Sequence, residues 1–159
     1  MFRYAREKMA KDVIQRDFME SDLPHVLKFK KESVKISFPG QKFDPENFRK
    51  RLLREAKNNP GMIQVLESGG EVVGYVWFGY EDGDFGKYGH LHQLFIREDF
   101  RKRGLAKQLL TYTEKHLAEK GVKKMRIMVH EKNCKACSLY EKMDYRRTRL
   151  VMEKALSRS

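Results

Sequence analysis

The chain is poor in cysteine and lacks any long apolar run. Its 159 residues include only two cysteines, Cys134 and Cys137, which are too few for a disulfide framework and indicate a reducing compartment. No stretch approaches the roughly 18 consecutive apolar residues of a membrane span. The segment Met1–Val13 is charged throughout and lacks the apolar centre of a signal peptide. We therefore expect a cytoplasmic protein with no membrane partner.

Acidic residues are also in the minority. The sequence has 22 Asp and Glu against 34 Lys and Arg, a formal net charge of +12. A basic excess favours anionic partners, such as phosphorylated cofactors, nucleic acid or acidic protein surfaces. No recognised nucleic-acid-binding motif accompanies the charge, so we interpret most of it as solvated surface and do not expect nucleic acid as a partner.

The sequence also lacks any segment that would mark a boundary between domains. We find no internal repeat, no low-complexity tract and no linker rich in Pro, Gly or Ser. The length is typical of one domain, and a hydrophobic content of 40% is enough for a buried core. These features predict a single domain over residues 1–159.

Apolar periodicity and turn residues predict the helices and strands. The strands are predicted at residues 13–20, 62–67, 71–80, 88–96, 125–129 and 145–154. The helices are predicted from 21 into a loop within 28–42, from 44 to 58, from 105 to 121, and from 133 to 143. An antiparallel meander followed by alternating strands and helices predicts an α/β (α+β) fold, with a mixed sheet flanked by helices.

Several helix ends carry specific signals. Asp44 is a suitable N-cap with Pro45 at the first helical position. Phe43 and Phe48 have the spacing of a hydrophobic staple. Gly121 is suited to the C-terminal end of the helix that precedes it.

The most informative segment is the basic turn between the strand that ends at Ile96 and the helix that Gly104 opens. The first amides of a helix have no internal partner and carry the positive end of its dipole. They suit a diphosphate, particularly where Gly lets the anion approach the backbone and Ala106 keeps the next position small. Further positive charge at this turn comes from Arg101, Lys102, Arg103 and Lys107. The alternative is an ordinary helix start with solvated arginines.

Two blocks carry a resemblance to the GNAT superfamily of acetyltransferases. Arg101–Ala106 resembles the acetyl-CoA signature R/Q-x-x-G-x-G/A, which the family places after a strand with a bulge. The segment from Asn133 to Tyr145 is similar to the family pattern N-x-x-A-x-x-L-Y-x-K-x-G-F, except that Asp144 replaces Gly and Tyr145 replaces Phe. Asp tolerates the left-handed conformation of that Gly better than most residues. The resemblance implies a GNAT-like fold over residues 13–154, with a mostly antiparallel central sheet splayed between two strands.

The resemblance also implies a set of contacts to acetyl-CoA, the acetyl donor. Main-chain groups of Leu94, Phe95 and Ile96 would bind the pantetheine arm, and Asn133 is similar to a residue that contacts it. The pyrophosphate would be held by Arg101, Lys102, Arg103, Gly104, Leu105 and Ala106, with Lys107 at the rim. An amine would attack the thioester directly, with the amide of Ile96 or Phe95 as the oxyanion donor, and we expect no metal.

Tyr140 matches the family tyrosine that protonates the sulfur of CoA; on spacing alone it could equally be a buried aromatic. For the base, His90 and His92 lie two apart on a strand and so share a face, and an ordinary imidazole pKa of about 6.5 makes them usable near neutrality. They could otherwise simply pack. This pair resembles the histidine strand of arylalkylamine N-acetyltransferases, which favours a small or aromatic amine. Glu81 is the alternative base.

Other interpretations stay open. Ribosomal-protein N-terminal acetyltransferases are similar to each other in a glutamate five positions before the motif Asn, where this chain has Met128, which counts against that subgroup. A protein lysine or N-terminal acetyltransferase, or a non-catalytic acyl-CoA-binding module, remains an alternative. Cys134 and Cys137 lie within the family helix and are interpreted as structural. A homodimer is compatible with the sequence.

Overall fold

A computed structural model of the chain describes residues 12–158. Five strands form one sheet in the order β1-β2-β3-β4-β5. The strands are β1 (Val13–Asp17), β2 (Ile63–Ser68), β3 (Glu71–Gly83), β4 (Gly86–Ile96) and β5 (Lys124–Ile127). The first four strands pair antiparallel and β5 pairs parallel to β4. This confirms the predicted mixed, mostly antiparallel sheet.

Four α-helices flank the sheet. They are α1 (Leu23–Ser37), α2 (Pro45–Asn58), α3 (Leu105–Glu119) and α4 (Cys134–Lys142). One face of the sheet packs on α1 and α2 through Phe29, Leu52 and Trp77, and the other packs on α3 through Phe78 and Leu109. Helices on both faces explain why the central strand β3 is buried continuously from Val72 to Gly79 instead of alternating.

The predicted helix ends agree with the structure. The Asp44 side chain accepts the N–H of Asn47 at 3.0 Å, and the rings of Phe43 and Phe48 meet with centroids 5.8 Å apart. Gly121, just past α3, has φ +80°, the left-handed conformation that glycine adopts readily. Local sequence therefore determines where these helices begin and end.

Two predictions about chain segments were wrong. The basic segment 28–42 is not mostly loop, because α1 continues to Ser37 with Phe29 buried beneath it and ends just before Pro39-Gly40. Residues 145–154 do not form a strand. The alternating apolar residues Leu150 and Met152 are 82% and 86% exposed, because β5 ends the sheet and no described strand lies beside them.

Smaller differences concern the strand ends. β1 stops at Asp17, before a short 3-10 turn at Glu20–Asp22. β5 stops at Ile127 instead of continuing to Val129. β3 and β4 extend further into the predicted loop and leave a tight turn between Gly83 and Gly86. None of the helices within residues 12–158 combines the length and the apolar character required to cross a membrane.

Candidate active site

The basic turn ends in a left-handed glycine at the start of α3. Gly104 is the N-cap with φ +76°, and Lys102 is also left-handed with φ +61°. A Cβ added to Gly104 would meet no atom within 4 Å, so the space beside this residue is open. Within the described residues, no main-chain or side-chain group accepts a hydrogen bond from the amides of 104–107. An open helix N-terminus of this kind is suited to an anion.

The two arginines of the turn support its backbone. Arg101 donates from Nε to the carbonyl of Ile96 at 2.8 Å, and its guanidinium lies over the Phe95 ring. Arg103 donates to the carbonyl of Asp99 at 2.8 Å and lies over the Phe100 ring. Arg101 therefore ties the turn to the end of β4, and Arg103 ties it to the short 3-10 segment that follows β4.

The two lysines of the turn, unlike its arginines, do not bond the main chain of the described residues. Lys102 and Lys107 are exposed and form no ion pair with any described residue. Both lysines can bind an anion without losing an existing bond, as can the Nη groups of Arg101, which bonds only through Nε.

The outer edge of β4 is open beyond Leu91. Pairing with β5 covers only residues 88–91 of β4, so the strands separate from His92 onward. On the other side, Trp77 opposes Gln93 and Phe78 opposes Leu91, which leaves His92 as the extra residue of a β-bulge. The splayed sheet and the bulged strand that the family resemblance implied are both present.

Alternation along β4 determines which main-chain groups face this open edge. Arg97 donates its N–H to the carbonyl of Val73 at 2.8 Å, and the register continues with Phe95 opposite Tyr75. In an antiparallel ladder, bonded pairs alternate with unbonded ones. The main-chain groups of Phe95 therefore face β3, and those of Leu94 and Ile96 face the open edge.

The two histidines lie together on one face of β4, as predicted. Their ring centroids are 4.3 Å apart and meet edge to face, and His92 also packs on Trp77 at 4.7 Å. Both rings crowd Gly79, since a Cβ there would lie 3.2 Å from Nε2 of His92 and 3.3 Å from Nε2 of His90. A glycine at position 79 therefore makes room for the pair.

Glu81 lies beside the histidine pair. Its carboxylate is 3.9 Å from Nδ1 of His90 and accepts the Tyr88 hydroxyl at 2.7 Å. Burial lowers the pKa of His92 to about 4, and the neighbouring charges of His90 and Arg51 act in the same direction. His92 is accordingly neutral at pH 7, and within residues 12–158 the histidine that contacts a carboxylate is His90.

Tyr140 lies on α4, away from the histidine pair. It packs against Tyr145 with centroids 5.9 Å apart, and burial raises its pKa to about 12, so the phenol remains protonated at neutral pH. Neither cleft beside His92 is lined by Tyr140. The structure thus brings His90, His92 and Glu81 together and places Tyr140 separately.

The Asn133 motif has the local geometry that the sequence predicts. Asn133 caps α4 by accepting the N–H of Ala136 at 3.3 Å, and Asp144 is left-handed with φ +66°. Cys134 and Cys137 are free thiols. Within residues 12–158, no group of three or more His, Cys, Asp or Glu side chains is arranged to hold a metal ion.

Two clefts meet at His92, and sequence reasoning missed most of their charged walls. One, of about 400 Å³, is lined by Arg51, Arg54, Glu55, Glu81 and both histidines. The other, of about 250 Å³, runs from His92 toward Lys30 and Phe38. One feature of the sequence indicates this charged wall. Arg51, Glu55 and Asn59 are spaced every fourth residue and so share a helix face beside the apolar stripe of α2.

Curated proteins similar in sequence to this chain are named acetyltransferases. The chain is 37% identical over 92 residues to an acetyltransferase of Pectobacterium atrosepticum, a match that covers 58% of this chain and 62% of the relative. It is 36% identical over 99 residues to an acetyltransferase of Yersinia enterocolitica, covering 62% and 67%. The chain thus spans just under two thirds of the first relative's length.

A solved structure shares the fold. A predicted acetyltransferase from Clostridium acetobutylicum, solved with acetyl-CoA, superposes with a TM-score of 0.76 at 13% identity, covering 90% of this chain and 96% of the other. The family model described as "Acetyltransferase (GNAT) family" matches residues 29–145. The chain belongs to the GNAT family of acetyltransferases.

Proposed function

We propose that this acetyltransferase moves the acetyl group of acetyl-CoA onto a primary amine by direct attack within a ternary complex. The observation that carries the proposal is the run of open main-chain groups from Leu94 and the N–H of Ile96 on β4 to the amides at Gly104. An extended amide-containing arm can pair with a strand edge, and a pyrophosphate can bind an open helix N-terminus. Acetyl-CoA carries both groups in one molecule.

In this arrangement the pantetheine arm lies along Leu94–Ile96. The amides of residues 104–107 bind the pyrophosphate, with Lys102 and Lys107 as the charged partners. Arg101 and Arg103 act by holding the turn, since their guanidinium groups already bond main-chain carbonyls. Asn133 is proposed to contact the arm near α4.

The reaction needs a neutral amine, an oxyanion donor and an acid. The amine nitrogen bonds to the thioester carbon, the C–S bond breaks, and the thiolate takes the proton of the Tyr140 hydroxyl. The Tyr140 phenolate regains a proton from solvent before the next cycle. Of the oxyanion donors considered, the amide of Ile96 is favoured over that of Phe95 because it faces the open edge of β4. A preorganised donor at this point stabilises the charge that develops in the transition state.

The amine proton is proposed to leave through the histidine pair. A residue with a pKa of about 4 holds a proton poorly at pH 7, so His92 acts as a relay and not as the final acceptor. The proton then passes through a water to His90, whose ring centroid lies 4.3 Å from that of His92, and the Glu81 carboxylate at 3.9 Å stabilises the imidazolium there. His92, His90 and Glu81 then form one path from the cleft to the surface.

The acceptor is proposed to be a small or aromatic amine. Trp77 and Phe48 form an aromatic wall beside His92, with ring centroids 5.8 Å apart. The alternative acceptors are a protein lysine or N-terminus; Met128, at the position of the N-terminal acetyltransferase glutamate, is 79% exposed.

We further propose that residues 1–159 form a single domain and that the protein is cytoplasmic. We also propose a homodimer, which light scattering would test.

The deciding experiment combines calorimetry with a transfer assay. Purified protein should bind both acetyl-CoA and CoA, and should release free thiol when amines, lysine peptides and N-terminal peptides are supplied in parallel. Thiol release with small amines supports the proposal, and release only with peptides supports the alternative. Binding without any transfer would identify a non-catalytic acyl-CoA-binding module, and no binding at all would overturn the proposal.

A further inference from the structure

The cleft beside His92 carries positive charge that no described carboxylate neutralises. Three cations line it: Lys30 of α1, Arg51 of α2, and Lys42 of the loop between these helices. None of the three forms an ion pair with a residue in the described part of the chain. Asp44 is the acid on the same wall, and its carboxylate already caps α2 by accepting the N–H of Asn47.

Arg51 differs from the two cations that precede it on α2 in what it contacts. Arg49 and Lys50, the residues just before Arg51, pair with Glu46 at 3.4 Å and 3.9 Å on the outer surface. Arg51 instead lies over the Trp77 ring, 5.4 Å from its centroid. Two cations of α2 are therefore paired with Glu46, whereas Arg51, which lines the cleft, forms no ion pair with a described residue.

Lys30 is held in a comparable way. Its ammonium lies 5.5 Å from the Phe38 centroid and 5.7 Å from that of Phe48. Burial lowers its pKa to about 8, and the charge of Arg51 lowers it further. Two cations that repel each other across aromatic rings cost free energy until an anion lies between them.

Other atoms of the wall are also donors. Nε1 of Trp77 is buried and has no acceptor within the described residues. The far end of the cleft reaches His92 and Gln93, where the edge of β4 opens. A molecule in this cleft would thus meet aromatic rings and cationic donors at one end and the proposed reaction centre at the other.

We propose that the acetyl acceptor is a small amine that also carries an anionic group, a carboxylate or a phosphate, bound by Lys30 and Arg51. This inference rests on the proposed transferase function and specifies its substrate class. An aromatic or apolar body packs on Trp77 and Phe48, and the amine points to His92. The cleft volume of about 250 Å³ lies below the roughly 300–1,000 Å³ of drug-sized ligand pockets, which fits a molecule the size of an amino acid.

The test uses amines that differ only in the anion. Phenylalanine is compared with phenethylamine, tyrosine with tyramine, and phosphoethanolamine with ethanolamine, at saturating acetyl-CoA. The proposal expects the anionic member of at least one pair to have the higher kcat/KM. The carboxylate and phosphate pairs distinguish the two sources of charge.

Variants then locate the anion. Arg51→Gln and Lys30→Gln should each raise KM for the anionic amine by about 10-fold to 100-fold, as expected for the loss of a charged hydrogen bond. They should leave KM for the partner amine that lacks the anion, and KM for acetyl-CoA, within about twofold. Lys50→Gln, one residue away on the outer face of the same helix, is the matched control and should change none of these constants.

Three outcomes would overturn the inference. Higher kcat/KM for the member without the anion in every pair excludes an anion-selective cleft. Equal losses for the amines with and without the anion in Arg51→Gln and Lys30→Gln indicate a structural role for these cations. Acetyl-CoA binding with no transfer to any amine removes the proposed transferase function, and this inference falls with it.

Discussion

The imidazole rings of His90 and His92 meet edge to face with centroids 4.3 Å apart, although His92 is the extra residue of a bulge in β4. The bulge leaves His92 without an opposing residue on β3, so the ring turns onto Trp77. Burial there lowers the pKa of His92 to about 4. The same contact that positions His92 also keeps it neutral.

This contact predicts a pH dependence of stability. The unfolded chain has an ordinary imidazole pKa of about 6.5 at position 92, so between pH 6.5 and about 4 the unfolded state binds more protons than the folded state. The free energy of unfolding should therefore fall as the pH drops through this window. In His92→Gln the fall should be smaller, measured by urea unfolding at about pH 7, 5.5 and 4.5.

His130→Gln is the control, since that imidazole accepts the N–H of Lys132 in a surface turn and should leave the His92 contribution intact. Identical slopes in wild type and His92→Gln would contradict the prediction.

The pH dependence of kcat/KM gives a separate prediction. Any inflection of kcat/KM above about pH 5.5 should persist in His92→Gln, because a group with a pKa of about 4 cannot cause it.

The phosphate turn can be tested with the two glycines that flank α3. Gly104 and Gly121 have φ +76° and +80°, and a Cβ at either would meet no atom within 4 Å. Replacement by Ala should thus cost each variant about 1–2 kcal/mol of unfolding free energy, through backbone strain alone. Only Gly104→Ala should also weaken CoA binding, by about 10-fold or more, because its methyl enters the space proposed for the pyrophosphate.

The matched pair separates strain from ligand contact. Thermal unfolding reports the strain and calorimetry with CoA reports the contact. If both variants, or neither, lost CoA affinity, the amides at Gly104 would not be the pyrophosphate site.

The parts of this molecule that the sequence predicted depend on local signals. Asp44, Asn133 and Asp144 adopt the conformations expected from their neighbours along the chain, because capping and left-handed turns involve only a few consecutive residues. The histidine pair was predictable for the same reason, since alternation on a strand is local.

The parts that were missed depend on distant contacts. The alternating residues 145–154 have strand-like periodicity, but a strand needs a partner, and no described strand pairs with them. The walls of the two clefts bring Lys30, Arg51 and Trp77 from separate elements to one place. Periodicity gives the face of each helix but not which faces meet across the sheet.

Tyr140 has a natural control in Tyr145, the aromatic it packs against. Tyr140→Phe removes the proposed acid and should lower kcat by about 100-fold, the scale of general acid catalysis, with CoA affinity unchanged. Tyr145 donates its hydroxyl to Glu114 at 2.7 Å, so Tyr145→Phe should lose about 1 kcal/mol of stability while keeping kcat. Equal kcat in the two variants would exclude Tyr140 as the acid.

The last prediction concerns the ion pair that joins β1 to the start of α1, the helix that carries Lys30. Asp22 is buried and accepts hydrogen bonds from the two Nη atoms of Arg16, at 2.8 Å and 2.9 Å, and from the N–H of Met19 at 2.8 Å. Burial by itself raises the pKa of Asp22, but these hydrogen bonds outweigh it and the pKa is lowered. Asp22→Asn should therefore cost about 3 kcal/mol of unfolding free energy at pH 7.

The stability that Asp22 contributes is present above the ordinary carboxyl pKa of about 3.9 and is lost as the pH falls through the lowered pKa of the folded state. The difference between wild type and Asp22→Asn should thus shrink in acid. Asp99, which binds Arg97 through two hydrogen bonds on the surface, is the control, and Asp99→Asn should cost less than about 1 kcal/mol. Equal losses for the two variants in urea unfolding would show that burial does not strengthen the Arg16–Asp22 pair.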